Sequence, residues 1–200
     1  MNNALSDIAI TIASPLFSLA LFLIAMRFLA QLCSVSPYNP ISVGIRKLTD
    51  PIVAPVNRLI PAGKRLNIGA IVALILCQTA YIAVMLWILS RFDTFNIVPA
   101  LIWSVLGAAG LLINIIFYSV LAIIVVSFLA PQSNHPAVEF LWQLTEPVMA
   151  PLRSLIPPMG GLDFSPILLF IGINVIRMSL ANMAIAVGMP ADVFEIMIGI

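Results

Sequence analysis

One arginine and three side-chain amides are the residues best placed to do chemistry where chemistry is hardest. Arg177 falls well inside an apolar run that opens at Ser165, and Asn174, three residues earlier, shares its helix face. Gln78 and Asn114 fall inside two other apolar runs. An arginine near a bilayer midplane costs at least about 2.5–3.5 kcal/mol on insertion scales. Backbone carbonyls, Asn114 or Tyr118, a water-filled cavity or an anion must offset that cost. Arg177, Asn174, Gln78 and Asn114 therefore form a candidate intramembrane polar site, a pathway or a ligand contact. The plainer alternative is an arginine held by bundle carbonyls that snorkels part of the way to the interface.

Little else in the chain suggests catalysis. His135 is the one histidine, and its place directly before Pro136 suits the cap of a proline-started helix. Without a second histidine, a C-x-x-C-H or an H-E-x-x-H, the sequence supports neither a zinc site nor a bis-histidine haem. Cys33 and Cys77 form no C-x-x-C, and one lies within an apolar run, so both read as soft apolar filler. No phosphate-binding glycine loop and no Ser-His-acid set occur. No basic stripe with interleaved aromatics points to nucleic acid. The expectation is a protein that is not an enzyme and carries no cofactor or metal.

Two acids stand out by position. Asp50 lies in Leu48-Thr49-Asp50-Pro51-Ile52-Val53-Ala54-Pro55-Val56-Asn57-Arg58-Leu59-Ile60-Pro61. With the numbering shifted by 96, the stretch returns as Leu144-Thr145-Glu146-Pro147-Val148-Met149-Ala150-Pro151-Leu152-Arg153-Ser154-Leu155-Ile156-Pro157, with eight of fourteen positions identical. The repeated motif is Thr49, Asp50, Pro51, Pro55 and Pro61 against Thr145, Glu146, Pro147, Pro151 and Pro157. The register extends outward, pairing Pro40 with Pro136 and Gln78 with Asn174. A fixed offset without gaps means two copies of one unit, residues 1–96 and 97–200. The repeated acids can cap proline-started turns, worth about 1 kcal/mol each. They can equally read a partner or a cation.

These motifs carry a resemblance. T-[DE]-P-x3-P, the apolar Leu-Ile-Pro that follows it, and Leu162-Asp163-Phe164-Ser165-Pro166 opening the next apolar run make the chain similar to the YggT family of integral membrane proteins, in its two-repeat form. The first half departs from the pattern, with Asn67, Gly69 and Ala70 where the second has Asp163, Ser165 and Pro166. The resemblance implies a membrane protein without enzymatic activity. YggT-like proteins are similar to chloroplast relatives implicated in assembling cytochrome b6 with its haem. Bacterial relatives are often encoded near cell-division genes, and some have been linked to osmotic stress.

The elements that must position these residues follow from composition. The chain is 62% apolar and 8% charged, which excludes an ordinary soluble core. Apolar runs of about 18 residues or more read as spans. Four are expected, at about 8–32, 68–89, 104–129 and 165–188, the first a retained span rather than a signal peptide. In the third, the repeat register puts 97–103 at the surface, with Trp103 as an interfacial anchor. Between spans one and two, and again between three and four, lies a proline-broken insert, expected as two short amphipathic helices in the headgroup layer, bent at Thr49-Asp50 and Thr145-Glu146. Ile41, Ile45, Leu48 and Ile52 form the apolar face of one, and Ala137, Leu141, Leu144 and Val148 that of the other. The tail from Pro190 is short and apolar and reads as interfacial.

Two spans per unit place both copies in one orientation, a parallel repeat. Seven of the nine basic residues fall on the insert side. By the positive-inside rule the inserts are cytoplasmic and both termini outside, in the cytoplasmic (inner) membrane. The fold expected is an all-α membrane protein of four transmembrane helices. Two functions fit it. One is an adaptor or assembly factor that uses its cytoplasmic inserts as a platform for lipid headgroups, a membrane-protein partner or a homo-oligomer. The other is a small ion- or osmolyte-handling protein built on Arg177, Asn174, Gln78 and Asn114.

Overall fold

The computed structural model describes residues 2–60, 63, 66–130, 133–155 and 163–199. Seven α-helices follow in order: α1 (Asn2–Leu32), α2 (Pro40–Leu59), α3 (Ile68–Ile88), α4 (Ile97–Leu129), α5 (Pro136–Leu155), α6 (Ser165–Ala186) and α7 (Ala191–Ile196), with a 3₁₀ turn at Phe92–Thr94. Helices α1, α3, α4 and α6 are long and apolar enough to cross a bilayer. The protein is a multi-pass, all-α membrane protein of two parallel repeats, each a span, an insert helix and a second span. Helix α4 is central and touches α1, α3, α5 and α6.

Local chemistry sets the ends of the insert helices. Asn39 accepts the Ile41 N–H at 2.9 Å, and His135 Nδ1 accepts the Ala137 N–H at 3.2 Å. Each satisfies one orphan donor ahead of a proline that has no N–H to satisfy. Asn67 caps α3 through the Ala70 N–H at 2.9 Å, and Asp163 caps α6 through the Ser165 N–H at 2.9 Å. Ser165 is itself the first residue of α6 and is the donor in this contact.

Each insert is one continuous helix of 20 residues rather than two short ones with a bend. The prolines explain how. Pro51 and Pro55 stand one turn apart on the exposed side, as do Pro147 and Pro151. The carbonyls they leave unbonded, of Lys47 and Pro51 in the first insert, therefore point away from the protein. On the opposite side Thr49 is buried, and its hydroxyl donates to the Ile45 carbonyl at 2.7 Å; Thr145 does the same to Leu141 at 2.9 Å. Ser42, Ile45, Thr49 and Val53 face the bundle while Ile41, Leu48 and Ile52 are exposed, so the packed face differs from the one expected. In α5 the packed residues are Phe140, Leu144, Thr145 and Met149. Pro61 and Pro157 of the repeated motif lie outside the described residues.

Two further expectations are corrected. Residues 97–103 are the first turns of α4, capped by Asn96 through the Val98 N–H at 3.1 Å. Trp103 is buried among Ile82, Leu86 and Val193 instead of anchoring at an interface. At 33 residues, α4 is about 50 Å long, so it tilts or extends beyond a hydrocarbon core of about 30 Å. The tail is not interfacial either. Met189, Val193 and Met197 are buried against α3 and α4, and the segment after α7 runs back to the middle turns of those helices, at Gln78 and Asn114. Cys33 and Cys77 are free thiols packed against the apolar core of the first repeat.

The tail needs two glycines to lie so close to α4. A Cβ on Gly107 would overlap the Met197 sulfur and sit 2.8 Å from Gln78 Nε2. Gly199 adopts φ of 114°, and a Cβ there would overlap the Gly107 carbonyl and lie 2.6 Å from Leu111 N. Gly107→Leu is expected to expel residues 197–199 and to cost about 1–3 kcal/mol of stability, the usual penalty of overpacking. Detergent unfolding together with hydrogen exchange of 189–199 reads it; unchanged exchange would show that the tail does not depend on this contact.

Candidate functional site

The mid-bilayer seam between the repeats is held by side-chain amides. Gln78 is 0% exposed, and its Nε2 donates to the Ile198 carbonyl at 3.1 Å. Asn114 Nδ2 donates to the Gly199 carbonyl at 3.2 Å. The two amides satisfy carbonyls of a non-helical segment, the kind of internal partner that lets irregular backbone persist at membrane depth. Gln78 Oε1 and Trp103 Nε1 remain buried without partners. Close by, the Thr79 and Ser104 hydroxyls lie 2.9 Å apart between α3 and α4.

Arg177 stands beside this seam and does not snorkel. It lies twelve residues into α6, about 18 Å from the insert end. Its guanidinium sits 4.4 Å over the ring of Phe117, which is equally far from the insert end of α4 and therefore level with it. The ring quadrupole is the attraction the protein itself offers this charge. Arg177 Nε is buried without a hydrogen-bond partner. The guanidinium lines a cavity of about 420 Å³ with Asn114, Tyr118, Phe194 and Gly199. A second cavity of about 430 Å³, with Phe22, Ser119 and Leu141, meets Asn114, Tyr118 and Gly199 from the other side.

Of the four sequence-derived polar residues, the structure brings Arg177 and Asn114 to one cavity. Gln78 joins them only through the tail. Asn174 is exposed and returns its Nδ2 to the Phe170 carbonyl of its own helix at 2.9 Å, so it lines neither cavity. At the position matching Arg177, the first repeat has Tyr81, buried against Phe17 with its hydroxyl 3.4 Å from Ser14 Oγ.

The repeated acids are bound differently in the two copies. Arg27 Nη1, near the end of α1, donates to Asp50 at 2.7 Å and to Thr49 Oγ1 at 2.9 Å. In the second repeat Ile123 occupies the place of Arg27. Glu146 instead accepts from Arg153 at 2.8 Å, and the same guanidinium reaches Asp163 at 3.1 Å. Each insert is thus tied to its repeat, α2 to the span before it and α5 to the corner of the span after it. Sequence reasoning missed both arginine clamps. The available signal was that Arg27 and Arg153 each fall where the other repeat has no base.

The model of the CCB3/YggT family matches residues 6–88 and again 102–184. This chain belongs to that family. The two matched segments are offset by 96, the same register as the proline motif. Among relatives, a Pseudomonas aeruginosa protein is 33% identical over 187 residues, 93% of this chain and 95% of its own length. The Escherichia coli K12 protein named YggT is 32% identical over 181 residues, 88% and 90% of the two lengths. A Vibrio alginolyticus protein is 32% identical over 165 residues, 80% and 86% of the two. No solved structure matches the chain significantly.

The YggT unit contains the spans, the insert and the acid at its centre, whereas the tail that fills the seam lies outside both matched segments. Burial opposes ionisation of Asp163, but hydrogen bonds from Ser165 and the Arg153 guanidinium outweigh it and hold the carboxyl below its ordinary range. A depressed carboxylate contributes stability that is present above its unfolded value, about 3.9, and is lost as pH falls through the folded one. Arg153→Gln is expected to release the C-terminal half of α5, with faster amide exchange over 147–155. Wild type should approach the mutant below about pH 4. Exposed pairs of this kind contribute about 0.2–1 kcal/mol, so the effect is local. Equal exchange in the two proteins at neutral pH would contradict the clamp.

Proposed function

We propose that this YggT-family protein is a non-enzymatic adaptor or assembly factor of the cytoplasmic membrane, with its two insert helices as a joint docking platform on the cytoplasmic side. The observation that carries the reading is that the inserts are joined to each other. Asn39 Nδ2 donates to the Pro136 carbonyl at 2.8 Å, and the Ser36 N–H donates to Gln143 Oε1 at 2.7 Å. Their outer faces expose Tyr38, Leu59, Trp142 and Leu155, with the base Arg58 beside them. Exposed apolar side chains beside a base suit a headgroup-level surface or a membrane-embedded partner. The basic bias toward this side supports a cytoplasmic placement.

Photo-crosslinking side chains at Leu59 and Leu155 should capture the same partner from native membranes, because both lie on one platform. The control position is Ile167, exposed on the flank of α6. The same products from Ile167, or only self-products at all three, would remove the adaptor reading.

Arg177 favours a second reading, the handling of an ion or osmolyte. Its buried Nε has no hydrogen-bond partner among the described residues, and Arg177 lines a cavity with Asn114. Replacing a buried charge by an apolar residue is often neutral or stabilising, so Arg177→Leu should insert and fold. Under this reading it loses any survival of osmotic downshock that the protein confers. Unchanged survival would return Arg177 to the bundle.

A further inference from the structure

The first repeat holds a cavity at the insert end that neither the seam nor the docking platform uses. It measures about 430 Å³ and lies between the end of α1 and the start of α2. Arg27, Gln31, Ser42 and Arg46 supply its polar wall, Val35 and Ile45 its apolar one. Ser42 is buried, and its Oγ has no hydrogen-bond partner. Arg46 is pinned at the rim, Nε donating to the Ser42 carbonyl at 3.4 Å and Nη2 to the Pro37 carbonyl. The charge of Arg27 is already met by Asp50. Among the described residues no carboxylate meets Arg46, so the lining holds one guanidinium without an acid partner, a second paired with Asp50, and a buried hydroxyl without a hydrogen-bond partner.

The duplication supplies an internal comparison. At the places of Arg27, Gln31, Ser42 and Arg46 the second repeat has Ile123, Ser127, Val138 and Trp142. A YggT unit folds with that uncharged, mostly apolar set, so the two arginines are not a requirement of the scaffold. The lining runs from Arg27 in the last turns of α1 to Arg46 in α2, at the insert end of the span. A span's end is where headgroup phosphates stand, about 15 Å from a bilayer's midplane.

We infer that this cavity binds a phosphate monoanion, that of an anionic lipid headgroup, with Arg46 as its charge partner and Ser42 as a hydrogen-bond donor. A basic pocket between a span and an interfacial helix has the chemistry such headgroups require. Leu32, next in sequence to the lining residue Gln31, is exposed and apolar, as contact with an acyl chain requires. The inference rests on α2 lying in the headgroup layer and not on what the inserts dock.

Native mass spectrometry of the purified full chain in neutral detergent tests it, with phosphatidylglycerol, phosphatidylcholine and inorganic phosphate as probes. One phosphatidylglycerol should be retained, with phosphatidylcholine at least about tenfold weaker, because its quaternary ammonium stands against the two guanidiniums that meet the phosphate. Arg46→Gln should weaken phosphatidylglycerol by a similar factor, and Ser42→Val, which installs the second repeat's residue, should weaken it independently. Lys47→Gln, exposed on the same helix but outside the cavity, should leave binding within about twofold, as a rim charge does. If inorganic phosphate displaces phosphatidylglycerol with the same Arg46 dependence, the phosphate site stands and its ligand is a soluble phosphate compound. Equal retention of the two lipids, or equal losses in Lys47→Gln and Arg46→Gln, would overturn it. Should Arg46→Gln fail to fold, Ser42→Val binding at full strength would do the same.

Discussion

A peptide group inside a bilayer must be hydrogen-bonded by the chain itself, and the seam of this protein is arranged around that constraint. Four spans in two copies leave a crevice where α3 and α4 meet α6. The segment after α7 fills it, bringing carbonyls that need internal partners to the middle turns of α3 and α4. Gln78 and Asn114 accept that task. Gly107 and Gly199 remove the side chains that would hold the segment away. The pseudo-symmetry of the repeats is broken here, because one strand of chain cannot serve both halves alike. The matching site of the first repeat is closed by Tyr81 against Phe17, and that of the second is left to Arg177 over Phe117.

The same divergence runs through the charges. Both inserts keep the acid at their centre, but the base that meets it comes from the preceding span in one copy and from the insert itself in the other. Duplication fixed the backbone frame, the caps and the prolines. Each copy then found its own way to hold the insert against the bundle. Arg46 and Ser42, which take no part in that pairing, line a polar cavity beside it at the insert end of the first repeat.

Elements whose logic is local were legible in the sequence. Apolar runs of membrane length gave the spans, the register of 96 gave the repeat, and His135 before Pro136 gave a cap. The inserts were misjudged because proline reads as a breaker. Two prolines one turn apart on an exposed face cost their helix only carbonyls that point outward, while Thr49 and Thr145 bond back to the buried side. Trp103 and the tail were misplaced for another reason. Their partners lie far along the chain, 120 residues for Gln78 and Ile198, and no periodicity carries that information. Arg177 and Asn114 could be suspected from polarity inside apolar runs. That Asn174 turns away from them depends on the rotation of α6 about its axis, which only packing against α4 decides.

The account turns on both insert helices lying together at the headgroup level, joined through Asn39 and Pro136, with their outer faces free. Leu59 and Leu155 are matched by the repeat and exposed at the ends of the two helices. Spin labels at these two positions, in vesicles with oxygen and a water-soluble nickel chelate as depth probes, report the placement directly. The account predicts one common depth at the phosphate level, about 15 Å from the bilayer centre. A label in the hydrocarbon core, or two labels at clearly different depths, would contradict it.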